Sequence, residues 1–317
     1  MNNYKFSVVI LFIFLNIFLI RGQQELSFNH YMFNSQLFNP AFVGLEENLS
    51  ISSIHSLQLV GFDGNPTINS ILLNAPFKNS LGAGLEIISD QIGPVNNSFI
   101  AINTAYHLKI NNNGHKLSLG LKVSGNSRNV NFSSLNFDDL SDPNASKLES
   151  YFVENIGFGL HFQTDKLYLG FSIPYFFEHR IINKKRHYYL AGGFKKGLNN
   201  KLTINPNFLI KKTSNAPTSI DVSSIVFYKD LFWFGINYAT SERGFISPNK
   251  SGGSISLMSG VKLNSSFSIG YSISSQLGGW TNSANGPSHE IYVKFSASKN
   301  RTESIDDSST EESKLNK

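Results

Sequence analysis

The sequence predicts an all-β protein, namely a transmembrane antiparallel β-barrel of the bacterial outer membrane with about 14 strands and periplasmic N- and C-termini. Three observations lead to this fold class. Apolar and polar residues alternate along most of the chain, between clusters of Gly, Pro, Asn and Asp. Short and long connections alternate between the strands. The apolar set is paired with a second set of mainly Ser, Gly, Asn, Thr and Lys, which suits a watery lumen.

Residues 1–22 are predicted to be a signal peptide. Lys5 supplies a weak positive region, and a continuous apolar run follows from Val8 to Ile20. That run is shorter than the roughly 20 residues that a membrane-spanning helix needs. Cleavage before Gln23 is the expected outcome of export.

Residues 23–48 form an N-terminal segment without strand periodicity. Its apolar residues are separated by Asn, Gln and Pro: Leu26, Phe28, Tyr31, Met32, Phe33, Phe38 and Phe42. Two interpretations remain open. The segment is either a linker packed against the first strand, or it is tucked into the periplasmic mouth of the barrel, where its aromatic residues meet the lumen.

Residues 49–298 are predicted to form the barrel, and residues 299–317 a polar, disordered tail. The clearest strand is Lys116–Gly125, with Leu117, Leu119, Leu121 and Val123 on one face. Six connections are predicted to be tight and seven longer. The longer ones lie near Gly61–Thr67, Asp90–Val95, Val130–Ser150, Glu178–His187, Thr213–Pro217, Ser241–Gly252 and Leu277–Ser288.

A soluble β-sandwich is the rival fold, but it gives no reason for sorting the connections by length. A closed barrel also leaves no strand edge free to pair with other chains. Aromatic residues near strand ends are predicted to form the girdles at the two membrane interfaces. These residues are Tyr106, Tyr168, Phe176, Phe177, Tyr188, Tyr228, Trp233 and Tyr292.

The sequence lacks the common catalytic motifs, so neither catalysis nor a cofactor is expected. It has no cysteine, which excludes disulfides and Cys-ligated metals. Asp63 is expected to shape a turn together with Gly64. The acidic patch at residues 138–142 has no EF-hand spacing, so it is expected to be a solvated loop and not a Ca²⁺ site.

The main run of charge is HRIINKKRH, from His179 to His187. Two interpretations are open, a solvated loop or a surface that contacts lipid phosphates and acidic partners outside the cell. In the second case Arg180, Lys184, Lys185 and Arg186 would donate charge-assisted hydrogen bonds to phosphate.

Several motifs resemble the PorP/SprF family of outer-membrane proteins from the type IX secretion system of Bacteroidota. VGFDGNP at 60–66 and SDQIGP at 89–94 are similar to family motifs, and HYMFNSQLFNPAFVG at 30–44 resembles the family's opening segment. SLGLKV at 118–123 and HEIYVKF at 289–295 resemble its middle and terminal strands. Two positions depart from the pattern, because Leu59 replaces an expected Trp and Ser35 an expected Pro.

This resemblance implies a non-enzymatic role in type IX secretion, in which the barrel receives or anchors secreted or cell-surface proteins, including gliding adhesins. The implied partners are the C-terminal domains of secreted proteins, periplasmic components linked to peptidoglycan, and outer-membrane lipids, with no nucleic acid. The alternative function is an outer-membrane channel for small solutes.

Two stretches are the candidate partner-binding sites. They comprise Tyr31, Phe33, Phe38, Asn39 and Pro40 in the N-terminal segment, and Gly61, Phe62, Asp63 and Gly64 in the first long loop. The N-terminal segment is aromatic but has no strand period, so we expect it either to pack with the GFDGNP region through the lumen or to dock a periplasmic partner.

Overall fold

The computed structural model describes residues 27–46, 48–61, 64–77, 80–111, 114–132, 148–180, 182, 184–214, 216, 218–240, 253–277 and 286–297. Within these ranges the strands form one antiparallel sheet that closes on itself through the pairing of the first strand with the last. No helix in the described part of the chain is long and apolar enough to cross a membrane.

Fourteen strands of this sheet are full length, as the sequence predicts, and one further strand has two residues. The strands are Ser50–Leu57 (β1), Thr67–Phe77 (β2), Leu81–Ile92 (β3), Val95–Lys109 (β4), Lys116–Asn131 (β5), Leu148–Gln163 (β6), Leu167–Ile173 (β7), His187–Phe194 (β8), Lys196–Gly197 (β9), Leu202–Thr213 (β10), Ser219–Tyr228 (β11), Phe232–Ala239 (β12), Ser254–Lys262 (β13), Phe267–Gln276 (β14) and Ser288–Ser296 (β15).

The two faces of the strands have the predicted orientations. In β5, Leu119, Leu121 and Val123 are 47, 40 and 55% exposed on the outside of the barrel, where lipid would cover them. The neighbouring Ser118 and Lys122 point into the lumen and are completely buried. Period-2 alternation therefore separates a lipid face from a lumen face, as the sequence indicates.

The prediction of a long connection at Asp90–Val95 was wrong. The ladder between β3 and β4 continues through Asp90 and Gln91, and only Gly93 and Pro94 form the turn. Backbone hydrogen bonds hold this extension, so its strand character does not depend on the apolar alternation that stops at Ser89. The β4–β5 and β5–β6 ladders are also long, so β4 has 15 residues and β5 and β6 have 16 residues each.

One of the predicted tight turns illustrates how the strands reverse. Lys229 and Asp230, between β11 and β12, both have positive φ values of 54° and 52°. Two positive φ values are the mark of a type I′ turn, whose twist matches that of the flanking strands. We call this end of the barrel the short-turn end, and the opposite end the long-connection end.

Three of the predicted girdle residues were assigned to the wrong face. Trp233 and Tyr292 are 5 and 2% exposed inside the lumen, and Tyr168 also points inward, where its hydroxyl donates to Asn207. Trp233 lies between the lipid-facing Phe232 and Phe234, so period 2 places it inside. The remaining predicted girdle residues are exposed: Tyr106, Phe176, Phe177, Tyr188 and Tyr228.

The inward side chains include many Ser and Asn residues, as expected, but the lumen is not simply filled with water. Inward apolar side chains form a cluster with residues of the N-terminal segment, and Phe28 of that segment is only 1% exposed. The strand residues of this cluster are Ile54, Ile68, Leu72, Ile88, Phe99, Ala101, Tyr189, Leu209 and Tyr292. The lumen of the described barrel therefore has a packed core, as a soluble domain does.

We expect Leu121→Arg to impair barrel assembly, because a charge near the bilayer midplane of a β-barrel costs about 2–4 kcal/mol. The matched control is Ser98→Arg, on the outer face near the long-connection end, where Ser98 is already exposed. The heat-modifiable gel mobility of the folded barrel measures both variants. Equal loss of the folded band in both would contradict the lipid-facing assignment of Leu121.

The orientation of the barrel in the membrane is tested by cysteine labelling of a chain that has no native cysteine. If the short-turn end is periplasmic, Arg180→Cys and Thr218→Cys label with an impermeant maleimide on intact cells. Asn200→Cys and Ser265→Cys, which lie in exposed short turns, label only after the outer membrane is opened. The reverse pattern would show that the orientation is inverted.

Candidate functional site

The candidate site is residues 27–46, which we call the lumen segment. It runs inside the barrel from the half near the long connections to the short-turn end. Ser27 accepts a hydrogen bond of 3.3 Å from Lys211, near the long-connection end of β10. The backbone N–H of Gly44 donates to Asn74, near the short-turn end of β2, at 2.7 Å. Of the two interpretations, lumen packing is therefore confirmed, although the segment fills the lumen instead of only its mouth.

Three short 3₁₀ turns fold the lumen segment, at Tyr31–Phe33, Ser35–Leu37 and Pro40–Phe42. Asn39 caps the third turn, because its side-chain oxygen accepts from Ala41 N–H at 2.9 Å. Pro40 then occupies the first position of the turn, where a missing N–H costs nothing.

Glu290 on β15 anchors the part of the lumen segment that lies near the long-connection end. Its carboxylate accepts from the backbone N–H groups of Asn29 and His30 at 3.0 and 2.9 Å. It also pairs with the Nδ1 atom of His30 at 2.5 Å, and both side chains are at most 1% exposed. A buried carboxylate needs such donors to offset its lost hydration, so Glu290 fixes the position of this end of the segment.

An aromatic cluster surrounds this anchor. The ring of Phe33 is stacked on that of Tyr292 with centroids 5.3 Å apart, and it lies 4.9 Å from the ring of Trp233. His30 is stacked on the same Tyr292 at 5.5 Å. A Cβ on Gly260 would lie 2.3 Å from the Trp233 ring, so that glycine leaves the space in which the indole lies.

A second buried ion pair contacts the middle of the lumen segment. Lys122 on β5 lies 2.9 Å from Glu86 on β3, and both side chains are completely buried. Lys122 also donates to the backbone carbonyl of Leu37 at 3.1 Å, and Asn103 donates to Glu86 at 2.7 Å. The pair therefore joins the segment to three strands of the wall.

Glycines on the wall allow the Asn39–Pro40 turn to lie directly against the strands. A Cβ on Gly120 would lie 2.2 Å from the backbone nitrogen of Ala41, and one on Gly159 would lie 2.0 Å from the side-chain oxygen of Asn39. Neither distance is compatible with a side chain at these positions. The Asn39 amide donates to carbonyls of β6 and β7, at 2.9 and 3.4 Å.

His107 holds the end of the lumen segment that lies at the short-turn end of the barrel. Its Nε2 lies 2.9 Å from the carbonyl of Val43, which can only accept, so Nε2 carries the proton. Its Nδ1 then accepts from the hydroxyl of Ser118 at 2.7 Å. Gly44 has a φ of +77°, and a Cβ there would meet Gly82 at 2.3 Å, so glycine is needed at this bend.

The structure brings together the predicted residues of the N-terminal segment. Tyr31 and Phe38 are 3 and 7% exposed, so they belong to the lumen core and form no exposed patch. Sequence reasoning missed the wall residues that hold them: Glu86, His107, Lys122, Trp233 and Glu290. The signal for four of them was a charged or His residue at an inward strand position, which was interpreted as a hydrated lumen group, whereas Trp233 was predicted to lie in an outer girdle.

The second predicted stretch lies elsewhere. Gly61 and Gly64 are exposed in the β1–β2 connection, with φ values of +98° and +73°. A Cβ on Gly64 would approach Gly93 in the β3–β4 turn at 3.4 Å. Phe62 and Asp63 lie outside the described residues, so their predicted role in partner binding remains a prediction.

The β7–β8 connection folds inward over the lumen. Tyr175 is 7% exposed and its ring meets that of Phe99 edge to face at 5.6 Å. Asn155 on β6 donates to the carbonyl of Phe177 and accepts from its N–H, which pins the connection to the wall. Tyr175 of this connection therefore belongs to the same core cluster as the lumen segment.

Most of the predicted basic cluster lies in this connection and is engaged within the protein. The Lys184 ammonium lies 3.7 Å from the ring centroid of Tyr175, and Lys185 lies 3.5 Å from Glu178. The Arg186 side chain donates to a backbone carbonyl, and its N–H, together with Lys185, holds the pKa of Glu178 below its usual value. Arg180 is exposed. Contact with phosphate therefore remains a prediction.

Among the described residues, no group of three or more His, Asp or Glu side chains is arranged to hold a metal ion. The acidic patch at 138–142 lies outside those residues.

Residues 20–295 match the family described as "Type IX secretion system membrane protein PorP/SprF". The chain belongs to this family. The match spans both the lumen segment and the strands that hold it. Together with the closed barrel, it identifies a PorP/SprF protein that resides in the outer membrane as a multi-strand β-barrel.

Solved outer-membrane barrels are similar to this PorP/SprF chain at low sequence identity. The CymD monoaromatic hydrocarbon channel has a TM-score of 0.49 at 12% identity, covering 83% of this chain and 91% of its own. The outer membrane protein Omp33 of Acinetobacter baumannii has a TM-score of 0.48 at 7% identity, covering 80 and 100%. The KdgM porin has a TM-score of 0.39 at 10% identity, covering 78 and 99%. No curated protein matches the sequence.

Proposed function

We propose that this PorP/SprF barrel is a non-enzymatic component of type IX secretion that receives or anchors secreted and cell-surface proteins through their C-terminal domains. The single observation that supports this most is the filled lumen in a chain that matches the family over residues 20–295. A lumen that holds the chain's own polypeptide leaves less room for a permanently open solute path, which favours the protein-contact role over the channel alternative.

The same observation counts against a solute channel. Ala41 and Val43 of the lumen segment are completely buried, and Phe28 and Tyr31 are at most 3% exposed. These side chains contact the wall on many strands, so the described lumen leaves no wide aqueous path. A channel would require the lumen segment to leave its position.

The proposed partners divide between the two ends and the belt of the barrel. The long-connection end, with the basic β7–β8 connection, is the proposed surface for secreted C-terminal domains, including those of gliding adhesins. The short-turn end is the proposed surface for periplasmic, peptidoglycan-linked components. Outer-membrane lipids contact the apolar belt. Export through a signal peptide and an origin in Bacteroidota belong to the same proposal.

The test is affinity purification of the tagged barrel from detergent extracts of cells that secrete a protein with a type IX C-terminal domain. We expect that protein to copurify, and the same protein without its C-terminal domain to be absent. Equal recovery of both forms would contradict recognition of the C-terminal domain.

Planar-bilayer recording of the purified barrel separates the two functions. We expect no stable porin-like conductance, because the lumen segment occupies the interior. A steady conductance of nanosiemens in the native protein would support the channel alternative.

A further inference from the structure

The wall of the barrel recognises the backbone of the lumen segment as well as its side chains. Glu290 accepts from two backbone N–H groups of the segment, and Asn74 accepts from a third. Side chains of the wall also donate to three of its carbonyls. These donors are Lys122 to Leu37, Ser172 to Phe38 and His107 to Val43, at 3.1, 2.7 and 2.9 Å. The contacts come from five different strands.

Contacts to the backbone do not depend on the side chains of the polypeptide that makes them, so the wall groups are suited to hold a polypeptide segment. Two features add sequence selectivity. An aromatic pocket formed by Trp233 and Tyr292 holds Phe33. The Asn39–Pro40 turn lies directly against Gly120 and Gly159 of the wall, and the Asn39 amide donates to two wall carbonyls. The selected pattern is an aromatic residue followed six positions later by Asn-Pro.

The lumen segment occupies this site with the advantage of a covalent tether, because the chain continues from Glu46 into β1. A second polypeptide can replace it only if it brings further contacts elsewhere on the barrel. A secreted protein docked on the barrel surface would supply them.

We propose that the lumen wall is a polypeptide-binding site and that the lumen segment is its exchangeable resident ligand. The competing ligand is a segment of a secreted protein with an aromatic residue and an Asn-Pro turn at the same spacing. This inference rests on the proposed function, since it assigns the site at which received proteins are bound.

Exchange is tested on the full chain with Ser52→Cys, because Ser52 donates to the side chain of Asn34 at 2.7 Å inside the lumen. The probe is a synthetic peptide of residues 30–44 with Asn34→Cys. We expect a mixed disulfide at a yield at least ten times that of a scrambled peptide carrying the same cysteine.

Two controls keep this test decisive. Ser53→Cys, on the opposite strand face, reports reaction outside the lumen, and heat-modifiable mobility reports folding. If Ser52→Cys fails to fold, Ser223→Cys is paired with a peptide carrying Tyr31→Cys, because these two hydroxyls lie 3.0 Å apart. Equal yields with native and scrambled peptides would overturn the proposal.

The link to secretion is tested with the double variant Asn34→Cys and Ser52→Cys, joined by a short thiol-reactive crosslinker that a reductant releases. We expect the crosslinked barrel to lose capture of the secreted C-terminal domain at least tenfold, and reduction to restore it. Capture that is unchanged by crosslinking would overturn the exchange while leaving the proposed function intact. Absence of capture by the native barrel would instead contradict the proposed function.

Discussion

Gly120→Ala is expected to displace the Asn39–Pro40 turn from the wall and to destabilise the barrel by about 1–3 kcal/mol, the usual cost of overpacking. The added Cβ would lie 2.2 Å from the Ala41 nitrogen and 2.4 Å from the Pro40 carbonyl carbon. Both are backbone atoms, so no change of rotamer relieves the clash. The lumen segment must move as a whole.

The measurement combines denaturant unfolding with limited proteolysis of residues 27–46. The expected result is a lower unfolding midpoint and faster cleavage within the lumen segment. The matched control is Gly197→Ala in β9, where an added Cβ meets no atom within 4 Å. If both variants unfold and cleave like the native protein, the contact between Gly120 and the Asn39–Pro40 turn contributes nothing to holding the segment.

The strand architecture was predictable because each strand carries its own information. Leu119, Leu121 and Val123 alternate with Ser118 and Lys122, and this local pattern determines both the strand and the face. The extents of β3 to β6 were less predictable. Their ladders continue past the apolar residues through backbone hydrogen bonds, which polar side chains neither favour nor prevent.

The lumen site was only partly predictable for a different reason. The aromatic composition of the N-terminal segment indicated that it needs a buried environment, and lumen packing was one of the two alternatives. The residues that hold it, however, are paired over long sequence distances. His30 and Glu290 are 260 positions apart, and no local pattern relates them. A charged residue facing the lumen looks the same in sequence whether water or a peptide covers it.

The Lys122–Glu86 pair shows why that distinction matters. In an open channel both charges would be hydrated, and loss of one would cost about 0–1 kcal/mol. Here both side chains are completely buried, and the lumen segment covers them through the carbonyl of Leu37. The stability of the barrel should therefore depend strongly on keeping the two charges together.

Lys122→Met is accordingly expected to destabilise the barrel by about 3–5 kcal/mol, because it leaves the Glu86 carboxylate buried without its counter-charge. Denaturant unfolding of the refolded protein measures this loss. The same substitution at Lys294, whose partner Glu46 is 40% exposed, is the control and should cost about 1 kcal/mol or less.

The double variant Lys122→Met with Glu86→Gln removes both buried charges and should recover most of the lost stability, since no unpaired charge remains. Lys122→Met alone should also loosen the lumen segment, because the Leu37 carbonyl loses its donor. A cost for Lys122→Met no greater than that for Lys294→Met would mean that water reaches the pair. In that case the lumen segment does not exclude water from the Lys122–Glu86 pair.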